Sequence, residues 1–548
     1  MIKKRGHIAF TMKQKLGQII SGSLNDGFMM RIAPGTQLEE IKTGKFVSIQ
    51  GSSYQFFSLI TDLSLHVTNQ DILVFPPKDS ETLLKETLSQ KDIYATAQLK
   101  PMLMLNKDKQ LMPVKTIPPH FAPVFDATKK DVALIFGDEK EVTKKFFSIG
   151  KPLDMDTPVC INLEKLTERS NGIFGKTGTG KTFLTRLVLA GLIKQEKAVN
   201  LIFDMHSEYG LQARKEGKGQ SFVKGLKTLF PSKVVIFSLD PESTRRRGGS
   251  PDVCMELSYQ SIHVEDIISL QSELHLHATA LEAAYLIAAR YKQNWLQVLL
   301  EQGENIKEFA QALGAHPESI AALYRKLKRI ERLPFFKRVT AIGATKTHSV
   351  VDQMMEYINK DINIIIEFGN YTSTFCYLLI ANIITRRIHS EYITRTENFL
   401  GSQKTEDKPN QLMITIEEAH KFLNPQAARQ TIFGTIAREM RKYYVSLLVV
   451  DQRPSGIDQE IISQIGTKIV AQLNDEKDIQ AVLTGVNNAN NLKSILASLD
   501  TKKQALLMGH ALTMPVVIQT REYDEQFYHA MSPQVTAKKI DELVQEIF

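Results

Sequence analysis

The fold of this chain is decided by the stretch GKTGTGKT, which comprises Gly175, Lys176, Thr177, Gly178, Thr179, Gly180, Lys181 and Thr182. It fits the pattern G-x-x-x-x-G-K-[ST] at every position. A short apolar run ending at Phe174 precedes it, and the helical pattern FLTRLVLAGLI follows it. In that context the backbone N–H groups of the loop turn inward on phosphate oxygens. We therefore predict a P-loop that binds ATP, with Lys181 on the β- and γ-phosphates and the Thr182 hydroxyl on Mg²⁺.

Short β-rich runs alternate with helical segments around this loop, from about residue 160 onwards. The runs include VNLIFD, KVVIFSL, NIIIEFG, LMITIEE and VSLLVVDQ. Strands that alternate with helices are typical of a doubly wound, mainly parallel sheet. The sequence therefore predicts an α/β fold with a RecA-like P-loop NTPase core.

Two segments have other residue patterns: one precedes this core and one interrupts it. Apolar and polar residues alternate from about residue 17 to 74, which predicts a small antiparallel β-barrel, whereas residues 264–357 show helical spacing. We predict four segments: an N-terminal β-barrel with a connector over 1–156, the ATPase core over 157–263 and 358–525, a helical insertion over 264–357, and a C-terminal tail over 526–548.

Two acids stand at the end of the apolar run LMITI. We expect Glu417 to hold Mg²⁺ and Glu418 to act as the general base for the attacking water. Adjacent residues on a strand point in different directions, so the two acids can divide these roles. A solvated strand end is the alternative interpretation. The next strand leads to Gln452, which could contact the γ-phosphate or the water; taken alone, it is equally a polar loop residue.

Composition limits the class of protein. The chain has 548 residues, with 68 Lys and Arg against 60 Asp and Glu, and this small basic excess is compatible with a polyanionic partner. Its three cysteines are widely spaced, which argues against a disulfide framework or a zinc site and favours a reducing cytosol. No apolar run approaches the roughly 18 residues of a membrane span, so we expect a cytoplasmic protein without membrane attachment.

Four motifs, taken together and in order, resemble the HerA branch of the HerA/FtsK ATPases. They are GKTGTGKT, DMHSEY at 204–209, EEAH at 417–420, and IAREMRKY at 436–443 leading into VSLLVVDQRPS. The similarity spans about residues 160–525, and the N-terminal barrel matches as well. One departure is visible: Asp451 stands where the family usually has Ser before Gln-Arg-Pro.

The resemblance implies roles for further residues. It places Asp204, His206 and Glu208 beside the nucleotide. It also implies that a neighbouring subunit inserts an arginine into the site, and Arg441 is the first candidate for this finger and Arg438 the second. Without the family context, both arginines would be interpreted as solvated residues on one helix face.

The resemblance further implies a homo-hexameric ring that translocates on double-stranded DNA with ATP and Mg²⁺. Its expected partner is a nuclease or another effector protein, in DNA processing or phage defence. Two alternatives stay open: a protein-pumping ATPase of the secretion or conjugation type, and a ring scaffold that ATP holds together around a partner enzyme. DNA stimulation of ATP turnover distinguishes the first alternative, and absence of hydrolysis would favour the second.

Two basic segments could face DNA phosphates. One is Arg245–Arg247, and the other comprises Arg325, Lys326, Lys328, Arg329 and Arg332 in the predicted insertion. A solvated surface is the alternative for each. The aromatic residues Trp295 and Tyr291 are interpreted as core.

Overall fold

The structure of the protein is a computed structural model. It describes residues 15–74, 76–77, 88, 92–153, 155–214, 222–303, 305–338, 349–429, 431–486, 489–500 and 503–532. The chain divides into two compact units: unit 1 combines Met1–Asn162 with Ile469–Arg521, and unit 2 combines Leu163–Lys468 with Glu522–Phe548. The four segment boundaries given above stay predictions.

Strands make up much of both units. In chain order they are β1 (Lys15–Ser23), β2 (Gly27–Ile32), β3 (Phe46–Gln50), β4 (Gln55–Val67), β5 (Ile93–Leu105), β6 (Leu111–Pro113), β7 (Pro123–Asp126), β8 (Phe146–Pro152), β9 (Val159–Asn162), β10 (Asn171–Phe174), β11 (Val199–Asp204), β12 (Gln212–Arg214), β13 (Phe222–Lys224), β14 (Val234–Ser238), β15 (Val253–Cys254), β16 (Leu257–Ser258), β17 (Phe336–Lys337), β18 (Asn363–Glu367), β19 (Leu412–Glu417), β20 (Val445–Asp451), β21 (Thr467–Val470), β22 (Gln504–Gly509) and β23 (Val516–Thr520).

The helices are distributed unevenly along the chain. They are α1 (Asp71–Val74), α2 (Lys129–Phe136), α3 (Leu163–Thr167), α4 (Lys181–Gln195), α5 (Leu226–Leu229), α6 (Pro241–Arg246), α7 (Val264–Ile268), α8 (Gln271–Leu274), α9 (Ala278–Tyr291), α10 (Trp295–Glu301), α11 (Ile306–Leu313), α12 (Pro317–Leu327), α13 (Val350–Asn359), α14 (Thr374–Ser402), α15 (His420–Leu423), α16 (Ile432–Glu439), α17 (Gln459–Gln464), α18 (Glu476–Leu483), α19 (Ala489–Ser498) and α20 (Glu525–Met531). Among the described residues, none of them is long and apolar enough to cross a membrane.

Unit 1 contains a closed antiparallel barrel. Its six strands follow the order β2-β1-β7-β3-β4-β5, and β5 pairs back with β2. Inward-facing apolar side chains fill it, including Phe28, Val47, Phe56, Ile60 and Leu99. The predicted antiparallel β-barrel is therefore confirmed. Unit 1 also holds four antiparallel strands in the order β22-β23-β8-β9.

Unit 2 is built on a parallel sheet with the order β15-β14-β18-β11-β19-β20-β10. Every residue of β11, β18, β19 and β20 is buried. Helix α4 packs on β10 and β11, α13 packs on β18, and α16 packs on β20. Because both faces of such a sheet are covered, its strands are almost continuously apolar, which explains why they are recognisable in the sequence. The predicted α/β fold with a mainly parallel sheet is confirmed.

The register of the parallel strands brings their carboxyl ends to one edge. Asp204 at the end of β11 lies opposite Glu367 at the end of β18. Asp451 at the end of β20 lies opposite Phe174, the last residue before the P-loop. In open parallel sheets, ligands bind at this edge. The fold therefore places the P-loop and the acidic strand ends on the same side of the sheet.

Helices α7 to α12 occupy the region predicted to be a helical insertion. Helix α9 packs against α10 and α12. Trp295 is buried at the start of α10 and donates its indole N–H to the Ile262 carbonyl at 2.8 Å. The ring of Tyr291 stacks on Phe309, with centroids 5.9 Å apart. Trp295 therefore lies in the core as predicted, whereas Tyr291 is only partly buried.

Candidate active site

The P-loop already has a phosphate-binding shape. Gly178 and Gly180 have φ angles of +79° and +92°, in the left-handed region that favours glycine. Lys181 begins α4, so the first N–H groups of the helix point into the loop. The Thr179 hydroxyl and the Lys181 ammonium both donate to the carbonyl of Lys176, at 2.7 and 3.0 Å. The loop is therefore ordered around an opening lined by backbone donors, which is suited to binding nucleotide phosphates.

The DMHSEY motif lies directly against this loop. The Thr182 hydroxyl donates to Oε2 of Glu208 at 2.9 Å. The backbone carbonyl of Glu208 accepts hydrogen bonds from the guanidinium of the buried Arg186. The carboxylate of Asp204 in turn accepts the N–H groups of Glu208 and Tyr209, both at 2.8 Å. Asp204 therefore shapes the turn, and Glu208 is the motif residue that contacts the P-loop.

His206 lies in the same turn, and its side chain is exposed. Within the described part of the chain, its ring has no hydrogen-bond partner. The next residue, Ser207, has a φ angle of +56°, which reverses the chain and carries Glu208 back toward Thr182. The structure thus separates His206 from the contacts made by its neighbours, and its predicted place beside the nucleotide stays a prediction.

Glu417 is buried at the end of β19 and is held by two tyrosines. The Tyr209 hydroxyl donates to its Oε1 at 2.7 Å. The Tyr377 hydroxyl accepts the backbone N–H of Glu417 at 3.1 Å. Burial raises the pKa of Glu417 to about 8, and the nearby carboxylate of Asp204 adds to the effect. Burial also raises the pKa of Asp204, to about 7, with a further contribution from Glu367.

Glu418 points toward a different set of groups. Its φ angle of +49° is unusual for a residue with a side chain and turns it away from the direction of Glu417. The amide of Gln452 donates to Oε1 of Glu418 at 2.6 Å. The oxygen of the same amide accepts the Thr177 hydroxyl at 2.5 Å. Gln452 therefore connects the P-loop to the candidate base, and the two acids diverge as expected.

The two finger candidates differ in what the structure describes. Arg438 donates to the Ala428 carbonyl at 2.9 Å and pairs with Glu460 at 3.3 Å, so its guanidinium is bound within its own chain. The side chain of Arg441 lies outside the described residues. The expectation that both arginines share one α-helix is wrong, because α16 ends at Glu439 and a 3₁₀ turn follows over Met440–Tyr443.

The two basic segments also differ. Arg247 points inward and pairs with the fully buried Glu367 at 2.6 Å, so it is not part of a solvated run. In the second segment, Arg329 stacks over the ring of Phe375, 4.6 Å from its centroid. Within the described residues, the cations of that segment form no ion pair.

Several groups in the site are not evident from the sequence. Tyr209 is visible as the last letter of DMHSEY, but its contact with Glu417 was not predicted. No sequence pattern marks Tyr377 or Glu367 as site residues, since each contacts residues that are distant in sequence. His420 is visible only as part of the EEAH motif.

Proteins similar to this chain are known. A family model described as "Helicase HerA, central domain" matches residues 147–388. The DNA double-strand break repair helicase HerA of Sulfurisphaera tokodaii is 25% identical over 493 residues, which cover 89% of this chain and 90% of that protein. The protein of the same name from Saccharolobus solfataricus is 22% identical over 497 residues, 87% of each chain. Among solved structures, VirB4 of Thermoanaerobacter pseudethanolicus aligns with a TM-score of 0.44 at 15% identity, over 70% of this chain and 98% of that one.

Proposed function

We propose that this ATP-hydrolysing enzyme, whose central part matches the HerA helicase family model, uses hydrolysis to translocate along double-stranded DNA. The observation that carries the proposal is the link from Thr177 through Gln452 to Glu418. It joins the phosphate loop to the acid that would activate water. DNA is the proposed polymer because the relatives that cover most of the chain are named DNA double-strand break repair helicases.

The proposed chemistry divides among three side chains. Lys181, held at the mouth of the loop, neutralises charge on the β- and γ-phosphates. Glu418 accepts a proton from the water that attacks the γ-phosphorus. Gln452 binds Oε1 of Glu418, and the other carboxylate oxygen, Oε2, is the one we expect to face the water. The bond between the β,γ-bridging oxygen and the γ-phosphorus breaks, and ADP and phosphate leave.

The residues present also fit a magnesium ion, which would neutralise phosphate charge during hydrolysis. Oε2 of Glu417 is buried and has no hydrogen-bond partner among the described residues, while Oε1 is held by Tyr209. The Thr182 hydroxyl donates to Glu208, so its lone pairs remain available to a cation. Thr182 and Glu417 are therefore the proposed ligands, and Glu208 and Tyr209 orient them.

We propose that the working form is a homo-hexameric ring in which an arginine, Arg441 first, completes the neighbouring site. The internal bonds of Arg438 support this order, because a finger must be free to reach another chain. DNA would pass through the ring, and a nuclease or other effector would act beside it. Light scattering should show a ring, and a fully active monomer would contradict the proposal.

The direct test measures ATP turnover of the purified protein with increasing linear double-stranded DNA. We expect DNA to stimulate turnover, and we expect Glu418→Gln to bind ATP but barely hydrolyse it, since the amide keeps the shape and loses the basicity. Turnover that ignores DNA but responds to an unfolded protein would favour the pumping alternative. Wild-type protein that assembles with ATP yet does not hydrolyse it would favour the scaffold.

A further inference from the structure

A buried aspartate, Asp451, binds His420, and the ring of His420 lies next to the proposed base, Glu418. The carboxylate of Asp451, fully buried at the end of β20, accepts the backbone N–H of His420 at 2.6 Å and the ring Nδ1–H of His420 at 2.9 Å. It also accepts the N–H of Arg453 at 2.6 Å. Its backbone carbonyl accepts the N–H of Gly175, the first P-loop residue, at 3.3 Å. One residue therefore holds both the histidine and the start of the phosphate loop.

The imidazole of His420 is placed beside Glu418. Its Nδ1 lies 3.7 Å from Oε2 of Glu418, an electrostatic contact and not a hydrogen bond. The hydrogen bond that the His420 ring donates to Asp451 raises the pKa of His420. Since Gln452 already binds Oε1, both carboxylate oxygens of Glu418 have a neighbour.

We infer that His420, held by Asp451, is a positioning residue that fixes the carboxylate of Glu418 for its work on water. The inference rests on the proposed role of Glu418 as base. A single contact at Oε1 leaves the carboxylate free to rotate about its last torsion, which is broad for a glutamate. A second neighbour at Oε2, the His420 ring, restricts that rotation, and small misplacements of a catalytic group are costly.

A purely structural role for Asp451 has to be distinguished from its proposed role in holding His420 beside Glu418. Its bond to the backbone N–H of His420 satisfies a donor in the first turn of α15, which stabilises the start of this helix whatever the ring does. Asp451→Ser removes the carboxylate that holds the ring, and its shorter side chain also weakens the bond to the backbone N–H of His420. His420→Gln leaves Asp451 in place and removes the ring itself.

The experiment measures kcat and KM for ATP at saturating DNA for Asp451→Ser and His420→Gln. We expect kcat to fall roughly 10- to 100-fold in both, with KM changed by less than about twofold, because the ring affects the base and not the phosphate contacts. Asp524→Ala is the matched control: it removes a comparable bond at a helix start, the one from the N–H of Phe527 to Asp524 at the start of α20, and should leave both constants unchanged.

The double variant of His420→Gln with Glu418→Gln decides whether the loss of the His420 ring lowers kcat by way of Glu418. If it does, adding His420→Gln to Glu418→Gln lowers the residual rate no further. Multiplying effects, or wild-type kcat in both single variants, would overturn the inference while leaving the role of Glu418 intact. A Glu418→Gln variant that hydrolyses ATP at the wild-type rate would instead refute the proposed base. If Asp451→Ser does not fold, His420→Gln and its combination decide alone.

Discussion

The side-chain amide of Gln452 lies 2.6 Å from Oε1 of Glu418 and binds it directly. The other end of that amide accepts the Thr177 hydroxyl at the tip of the P-loop. We therefore expect a phosphate bound in the loop to lie beside a residue that already contacts the proposed base. This relationship gives Gln452 a means to report on the γ-phosphate, which its sequence position alone left undecided.

Replacement of Gln452 should break the link between the P-loop and Glu418. We expect Gln452→Ala to lower kcat about 10-fold or more, because Glu418 loses the partner of one oxygen, while ATP binding changes little. Steady-state kinetics and a nucleotide-binding titration check this. Thr177→Val, which removes only the hydroxyl end of the link, should have the smaller effect, and equal wild-type rates in both variants would remove Gln452 from the mechanism.

Lys181 should be indispensable for hydrolysis. Lys181→Ala removes the P-loop cation that stabilises the transferring phosphoryl group, and we expect kcat to fall by about 10²–10³-fold or more. The thermal midpoint of the apoprotein should change little. Lys194→Ala is a matched control, since Lys194 lies near the other end of α4, outside the P-loop. Near-normal turnover by Lys181→Ala would exclude the P-loop assignment.

The variants Arg438→Ala and Arg441→Ala should have different effects on stability and on ATP turnover. Arg438→Ala should cost about 1–2 kcal/mol of unfolding free energy, because its charged hydrogen bonds lie within the chain. Arg441→Ala should instead abolish turnover without lowering stability. Rings mixed from Arg441→Ala and Lys181→Ala subunits should regain some activity, since some interfaces then contain both intact groups. Full activity in Arg441→Ala would pass the finger role to another arginine.

The cysteines should differ in reactivity with a thiol reagent. Burial raises the pKa of both Cys160 and Cys376 to about 12, whereas Cys254 is exposed. At pH 8 the thiolate fraction of the two buried groups is about 10⁻⁴, and access is blocked as well. Native protein should therefore react at one equivalent, which Cys254→Ser abolishes. Three equivalents in the native protein, without denaturant, would contradict the packing of β9 and α14.

Much of the fold is accessible from sequence for three physical reasons. Parallel strands buried on both faces consist almost entirely of apolar residues, so β11, β18, β19 and β20 can be located from the sequence alone. The P-loop has a spacing that its phosphate chemistry requires, and GKTGTGKT fits it. The barrel shows through alternation, because one face of each strand points into the barrel.

Other parts of the site depend on contacts that no local pattern encodes. Tyr377 reaches Glu417 from a helix 40 residues earlier in the chain. The inward turn of Arg247 depends on Glu367, 120 residues away. The sequence marks Asp451 as a departure from the family, yet its bond to His420 appears only when β20 and α15 are packed together. Tertiary packing, and not local propensity, decides such contacts.

Translocation itself is the measurement that tests the central claim most directly. A third strand bound as a triplex at one end of linear double-stranded DNA is released when a motor passes under it. We predict that the wild-type protein displaces this strand only with ATP and Mg²⁺, that Glu418→Gln does not, and that higher salt weakens the activity because the contacts are to phosphates. A protein that binds DNA and hydrolyses ATP rapidly, yet never displaces the third strand, would contradict the account.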